Sequence, residues 1–399
     1  MPELLQPHGQ PPPTILRWNA QDLRGAQRSL QAVPAHDAAR GGDHAQRFAA
    51  TATASSAGPA LSAGAAPRYD SGVTIQIGVD LGGSNLRAAA FGDGEDATPV
   101  ASHREPVGDD RAPGAIVERL AQTIERLAGD AAGPVAVGVG VAALLRDRRG
   151  TVASSPHLRW RDVPFGELLA GRLGARYRLG VYNDANAVTW GEAVAGAARG
   201  CRDVLAVYVG TGIGGGLIAG GQLVEGASNC AGEIGHTKVR WDAEAAPCMC
   251  GGRGCVEAYL GGHYLVPRIR RELAGGRHGS SVIERAGGAI DAVTPSHVDA
   301  AALDGDDWAL GLWTELATLL AVALGNALAI LNSQRLVLGG GVLARTPGLR
   351  AMTEIDLMLV APAASLEPLT IAVAELGDDA GLVGAARLAR DGVSIITRS

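Results

Sequence analysis

Twice along this chain a β-type run breaks into a glycine-rich turn and then resumes as a second β-type run. The first instance takes residues 74–79, 80–85 and 86–91; the second takes 203–209, 210–216 and 217–223. Runs of β-branched and apolar residues bounded by glycine clusters read as strands. Behind each hairpin a similar order of elements follows. Ile116, Leu120, Ile124 and Leu127 have the spacing that predicts a helix over 114–128, and the apolar residues 135–141 predict a strand. A strand over 179–182 then leads into Asn183, Asp184 and a helix running to residue 197. In the second half a helix over 307–331, strands over 335–338 and 369–374, and a helix over 380–390 take the corresponding places. Two hairpin-led halves imply an α/β fold of two similar lobes with a cleft between them.

A chain of 399 residues accommodates that plan, since roughly 100–200 residues per domain gives two domains with extra segments. Hydrophobic residues at 47% and charged residues at 19% supply the apolar surface that two cores need. A formal net charge of −6 lacks the basic surplus of a nucleic-acid binder, so a small or neutral substrate is expected and nucleic acid is not. No run of 18 or more consecutive apolar residues and no basic-then-apolar leader occurs. A cytoplasmic protein with no membrane partner is therefore expected. Residues 1–72 differ in texture: they are rich in Ala, Pro and Gly, with Gln10 followed by Pro11, Pro12 and Pro13, and offer little periodic apolar surface. They are expected to be a disordered tail, or the product of an over-long start assignment, with one short amphipathic piece over 23–33.

Chemistry enters at the two glycine turns. In the first, Gly82 and Gly83 let backbone N–H groups approach a phosphate, Ser84 and Asn85 add side-chain hydrogen bonds, and Asp80 at the strand end can hold the Mg²⁺ of MgATP through water. The same residues also suit a plain hairpin turn. The second turn, with Thr211, Gly212, Gly214 and Gly215, stands at the equivalent point of the second half. A facing pair of such turns would grip the β- and γ-phosphates of ATP from both sides. Gly340 and Gly341 follow another apolar strand, at a lip where adenosine could lie. No Walker pattern and no Rossmann glycine pattern is present, which weighs sharply against P-loop and dehydrogenase readings. Phosphoryl transfer to an alcohol needs a carboxylate near the hydroxyl. Asp184, between a strand and a helix, is placed for this, although spacing alone favours a helix N-cap there. Glu192 and Asp203 read as surface or capping carboxylates. Five cysteines are too few for a disulfide scaffold, and three of them crowd into 248–255, which suggests a metal.

Several stretches together carry a specific likeness: VDLGGSNLRAAAF at 79–91, YNDANAVTWGEAVAGAARG at 182–200, VYVGTGIGGGLIAGGQLVEGASNCAGEIGH at 207–236, CMCGGRGCVEAYLGG at 248–262 and LVLGGGV at 336–342. The chain resembles the ROK family (repressors, open reading frames and kinases), and within it the bacterial glucokinases, over residues 73–390. The resemblance implies a duplicated ribonuclease-H-like (actin-like ATPase) two-lobed sugar kinase fold. The expected boundaries are a first lobe over 73–187, completed by a C-terminal helix near 378–392, and a second lobe over 188–377 carrying the zinc motif.

The resemblance also turns Asp184 into the expected general base, because Asn183–Asp184 matches the step where related kinases carry theirs. By the same route Asn183, Glu233, His236 and Glu257 are expected to bind the sugar. His236, Cys248, Cys250 and Cys255 form a full tetrahedral set for a structural Zn²⁺. The implied substrates are ATP and a hexose, glucose first; fructokinase and N-acetylmannosamine kinase activities share the constellation, and polyphosphate stays open as a donor. A sugar-responsive regulator is the reading from another class, which residues 1–72 disfavour by lacking two adjacent amphipathic helices. A homo-oligomer, dimer or tetramer, is common in the family. The chain departs from the family over 142–146, where Ala-Ala-Leu-Leu-Arg replaces the usual Pro-Gly and aspartate, and this loop is expected to line the sugar pocket.

Overall fold

The structure is a computed structural model that describes residues 21–25, 67, 69, 74–94, 97–131, 133–276 and 279–396. Strands β1 (Gln76–Leu81), β2 (Asn85–Phe91), β3 (Ala101–Pro106) and β4 (Val135–Val141) begin the first sheet. A small three-stranded sheet of β5 (Leu144–Leu145), β6 (Val152–Ser155) and β7 (Trp160–Val163) intervenes before β8 (Tyr177–Asn183) completes it in the order β3-β2-β1-β4-β8. Strands β9 (Val204–Val209), β10 (Ile213–Ala219), β11 (Gln222–Leu223), β12 (Arg335–Gly339) and β13 (Thr370–Val373) form the second, in the order β11-β10-β9-β12-β13. In both sheets the first three strands are antiparallel and the remaining pairs are parallel. The two sheets thus repeat one ribonuclease-H-like topology.

Sequence pattern explains which faces are covered. All seven residues of β4 are buried, as a parallel central strand covered on both sides requires. Ile77 and Val79 point to a core shared with Ile116, Leu120 and Ile124 of the helix Pro113–Ala128. On the opposite face Gly78 meets the backbone of the helix Ala380–Arg390, which returns from the chain end to cover β1 and β4. The helix Asp184–Ala195 packs on that helix and reaches β10 of the second sheet. A Cβ on Gly384 would lie 1.7 Å from the Ala187 oxygen, so this close approach requires glycine. Two helices therefore stand between the two sheets and connect them.

The second core is organised by the helix Asp307–Leu331, capped by the Asp306 side chain and ended by Asn332 in the left-handed conformation. Its length and a mean hydropathy of 1.8 would suffice to cross a bilayer. Trp313, Leu316, Leu320 and Leu324 are instead buried in one core with Leu336 and Leu338 of β12. Inside this core the Asp299 carboxylate accepts hydrogen bonds from Trp313 Nε1 at 2.7 Å and from the N–H groups of Gly348 and Leu349 at 3.1 and 3.0 Å. A buried carboxylate is tolerable when its lone pairs are occupied in this way.

Two expectations are corrected here. The second glycine turn does not extend over 210–216: the turn is Gly210–Gly212, and β10 already begins at Ile213. Gly215 and Gly216 lie within that strand, and both must be glycine because a Cβ would meet the Gly232 oxygen at 2.7 Å and Thr189 Oγ1 at 2.2 Å. Glycine serves close packing there, not turning. Residues 1–72 are also not uniformly an unstructured tail. Residues 21–25 are helical, Leu23 is fully buried in the second core, and Arg24 Nη1 donates to the Leu303 oxygen at 2.6 Å. Tyr69 donates through its backbone N–H to Asp130 Oδ1 at 2.9 Å. The rest of 1–72, including most of 23–33, lies outside the described residues.

Candidate active site

Strand β8 delivers Asn183 and Asp184 to the space between the lobes. The helix that follows is capped by Asn183, whose φ of −62° and ψ of 143° are extended and whose Oδ1 accepts the Asn186 N–H at 3.2 Å. The capping role read for Asp184 therefore belongs to its neighbour. Asn183 Nδ2 also donates to the Ala143 oxygen at 3.2 Å, leaving one amide hydrogen and one lone pair of this side chain for other partners. Asp184 accepts the Ala185 N–H at 2.9 Å and lines the cleft. Burial, then the negative charges of Asp80 and Glu233, push its carboxyl up from 3.8 to about 7, against the opposing pull of the Ala185 N–H.

The cleft encloses about 630 Å³. Asp80, Gly82, Gly83 and Ser84 line it from the first turn, and Thr211, Gly212, Gly214 and Gly215 line it from the second. Gly340, Asn183, Glu233 and Glu257 complete the set that the structure brings together. Asn85 stands apart at the start of β2, where its carbonyl accepts the Gly82 N–H at 3.1 Å and closes the turn. Asp80 is held at the end of β1 by Arg87, whose Nε and Nη2 both donate to Oδ2; the Nε distance is 3.1 Å. Its other oxygen is left for the cleft. Gly341 lines an adjoining cavity of about 760 Å³ that shares Gly210 and Thr211 with the cleft.

Glu257 is tied to the second turn: its Oε2 accepts the Ile213 N–H at 2.8 Å, and a Cβ on Gly212 would lie 2.6 Å from that oxygen. Glu233 lies across from it. Burial chiefly, with the charge of Glu257 adding, raises the Glu233 carboxyl above its usual value while His236 opposes the shift. His236 is set behind Glu233, its Nε2 3.9 Å from Glu233 Oε2, and does not line the cleft.

His236, Cys248, Cys250 and Cys255 converge so that their ligand atoms all lie within 4.8 Å of one another. His236 Nδ1 is 3.7 Å from Cys248 Sγ, and the sulfurs of Cys250 and Cys255 are 3.6 Å apart. Thiolates on a tetrahedral zinc with bonds of ~2.3 Å stand about 3.8 Å apart, so this donor set fits the ion. Lys238 Nζ lies 2.7 Å from Cys255 Sγ and opposes the excess negative charge that three thiolates would bring.

Sequence reasoning missed several residues. The adjoining cavity is also lined by Thr294, Ser296, Val342 and Arg345. Thr294–Pro295 is legible only as a helix start, and nothing in its pattern marks a cavity wall. His157 lines the cleft, packed where a Cβ on Gly83 would be 2.7 Å from its own Cβ. Glu192, read as a surface or capping carboxylate, is fully buried. Of residues 142–146 only Ala142 lines the cleft, while Arg146 turns away to pair with Asp162.

Glucokinase from Streptomyces coelicolor is 32% identical over 330 residues, covering 79% of this chain and 98% of that protein. A ROK family glucokinase from Streptomyces griseus, solved in complex with glucose and AMPPNP, superposes with a TM-score of 0.65 at 31% identity, covering 80% of this chain and all of that one. The ROK hexokinase from Thermus thermophilus has the same TM-score at 27% identity, also covering 80% of this chain and all of its own. The fold is thus the duplicated, actin-like two-lobed fold of sugar kinases. A family model matches residues 76–392, taking in both hairpins, the Asn183–Asp184 step, the cysteine cluster and the closing helix, and on these grounds the chain belongs to the ROK family.

Proposed function

We propose that this protein transfers the γ-phosphoryl group of MgATP to the 6-hydroxyl of glucose, with Asp184 as the general base. One observation carries the reading. Asp184 is relieved of capping by Asn183, lines a cleft between two glycine hairpins, and has its carboxyl pushed up to about 7. Near neutral pH such a carboxylate takes the hydroxyl proton as the oxygen–phosphorus bond forms, and later releases it to solvent.

The other residues have roles that follow from their chemistry. Backbone N–H groups of Gly83, Ser84, Thr211 and Gly212 bind phosphate oxygens, while that of Gly82 closes its own turn onto the Asn85 carbonyl. The free oxygen of Asp80 would hold Mg²⁺ through water, and when bound that ion offsets the charge of the transferring phosphate. The cavity bounded by Thr294, Val342 and Arg345 takes the adenosine, with Gly340 and Gly341 at its lip. Glu233 and Glu257 accept hydrogen bonds from sugar hydroxyls and Asn183 offers its remaining amide hydrogen, while His236, expected from the family likeness to touch the sugar, stands behind Glu233 and would orient that carboxylate through Nε2, with Nδ1 left for the metal. His236, Cys248, Cys250 and Cys255 would hold a Zn²⁺ ion, which when bound would tie together the segments that carry Glu233 and Glu257.

Glucose as substrate is supported by the glucokinases from S. coelicolor and S. griseus, which match nearly their whole length. A coupled ADP-release assay over glucose, fructose and N-acetylmannosamine tests the proposal. Preferred turnover of glucose is the expected result, and absence of turnover with every hexose would reject it.

A further inference from the structure

The chain passes from the first sheet to the second through the helix Asp184–Ala195 and the turn after it. It returns through residues 374–379, between β13 and the helix Ala380–Arg390. Glu192 is fully buried where these two passages meet. Its Oε2 accepts the N–H of Ala197 on the outward passage at 2.8 Å and the N–H of Glu375 on the return passage at 3.1 Å. Its Oε1 accepts the N–H of Leu376 at 2.9 Å. A single carboxylate therefore holds both connections between the lobes. Gly196 makes room for it, since a Cβ there would lie 2.1 Å from Glu192 Oε2 and 3.0 Å from Leu376 Cγ.

Both passages lead to the cleft. The outward helix begins at Asp184. On the return passage Asp378 lies 3.6 Å from Arg87 Nη1, and Arg87 in turn holds Asp80. Lobe closure in such folds is absorbed at a few residues where elements end. Hydrogen bonds to a buried ionised acceptor are among the stronger ones available to fix that geometry.

We infer that Glu192 is a positioning residue that locks the two inter-lobe passages into one hinge, so that Asp80 and Asp184 keep their mutual placement as the lobes close on substrate. The kinetic consequence rests on the sugar-kinase reading; the structural one does not.

Glu192→Gln keeps the side-chain volume but turns an amide NH₂ against backbone N–H donors. Gly196→Ala crowds the same carboxylate from outside and carries both measurements should the first variant fold poorly. Amide hydrogen exchange on the substrate-free full chain is the first. The N–H groups of Ala197, Glu375 and Leu376 should exchange together, about tenfold faster or more, while those of β4 and β9 are unchanged. Faster exchange at Ala197 with Glu375 and Leu376 still protected would overturn the coupling. Steady-state kinetics is the second: kcat should fall about tenfold or more with the hexose KM within about threefold, the split expected of lost positioning. Accelerated exchange with a wild-type kcat would overturn the positioning role. A wild-type chain inactive on every hexose would end the proposed function, while the exchange data would still decide whether Glu192 couples the passages.

Discussion

Glu257 reaches from the cysteine-rich segment to the second glycine turn, where its Oε2 accepts the Ile213 N–H at 2.8 Å. The same side chain thus shapes a proposed phosphate loop and faces the proposed sugar. Glu257→Ala would leave a part-buried N–H without its acceptor, at a cost of about 1–3 kcal/mol. Initial-rate kinetics should show KM rising for ATP and hexose together. Glu257→Gln, which can still accept that N–H, should raise the hexose KM alone.

The raised carboxyl of Asp184 sets a pH profile. Activity requires the ionised form, so kcat/KM for hexose should climb about tenfold per pH unit below pH 7 and level off above it, the inflection lying at the value of about 7. A flat profile between pH 5.5 and 8, marked in steps of about half a unit, would remove Asp184 from the rate-limiting proton transfer.

The same shift affects stability. The folded chain keeps the Asp184 proton up to about 7, whereas an unfolded chain releases it near 3.8. Between those values folding takes up a proton, so stability falls as pH rises through the window. Asp184→Asn removes that cost. Thermal melts should show the variant more stable than wild type at pH 8, by something on the order of 2 kcal/mol once solvent in the cleft is allowed for. The advantage should vanish near pH 4.

Metal content tests the cysteine cluster. Purified protein should carry about one zinc per chain, and Cys250→Ser should lose most of it and melt several degrees lower. Unchanged zinc stoichiometry in that variant would take Cys250 out of the ligand set.

Much of the fold could be read in advance where a local pattern and its tertiary use agree. Residues 135–141 were legible as a strand because burial on both faces needs an unbroken apolar run, and all seven are buried. The helix over 307–331 was legible at the bounds the structure gives it, and Asp306 and Asn332 cap its two ends. Elsewhere the deciding partner lay far off in the chain. Gly215 looks like turn glycine until Gly232 is seen against it, and Glu192 looks solvated until Glu375 and Leu376 are seen to donate to it. Asn183 and Asp184 are both good caps, and only the extended ψ at 183 assigns the cap to the asparagine. Asp80 was legible from the glycine turn it precedes, whereas Asp184 as base, Glu233 and Glu257 were legible only through family likeness; spacing alone does not bring the four together. The walls at Thr294 and Arg345 had no such signal.

The direct test of Asp184 as base is glucose phosphorylation by Asp184→Asn, measured beside glucose binding by calorimetry on the same protein. The expected result is a kcat lower by about 10²–10⁴-fold with glucose affinity within about threefold of wild type. Turnover near the wild-type rate, with glucose bound normally, would contradict it.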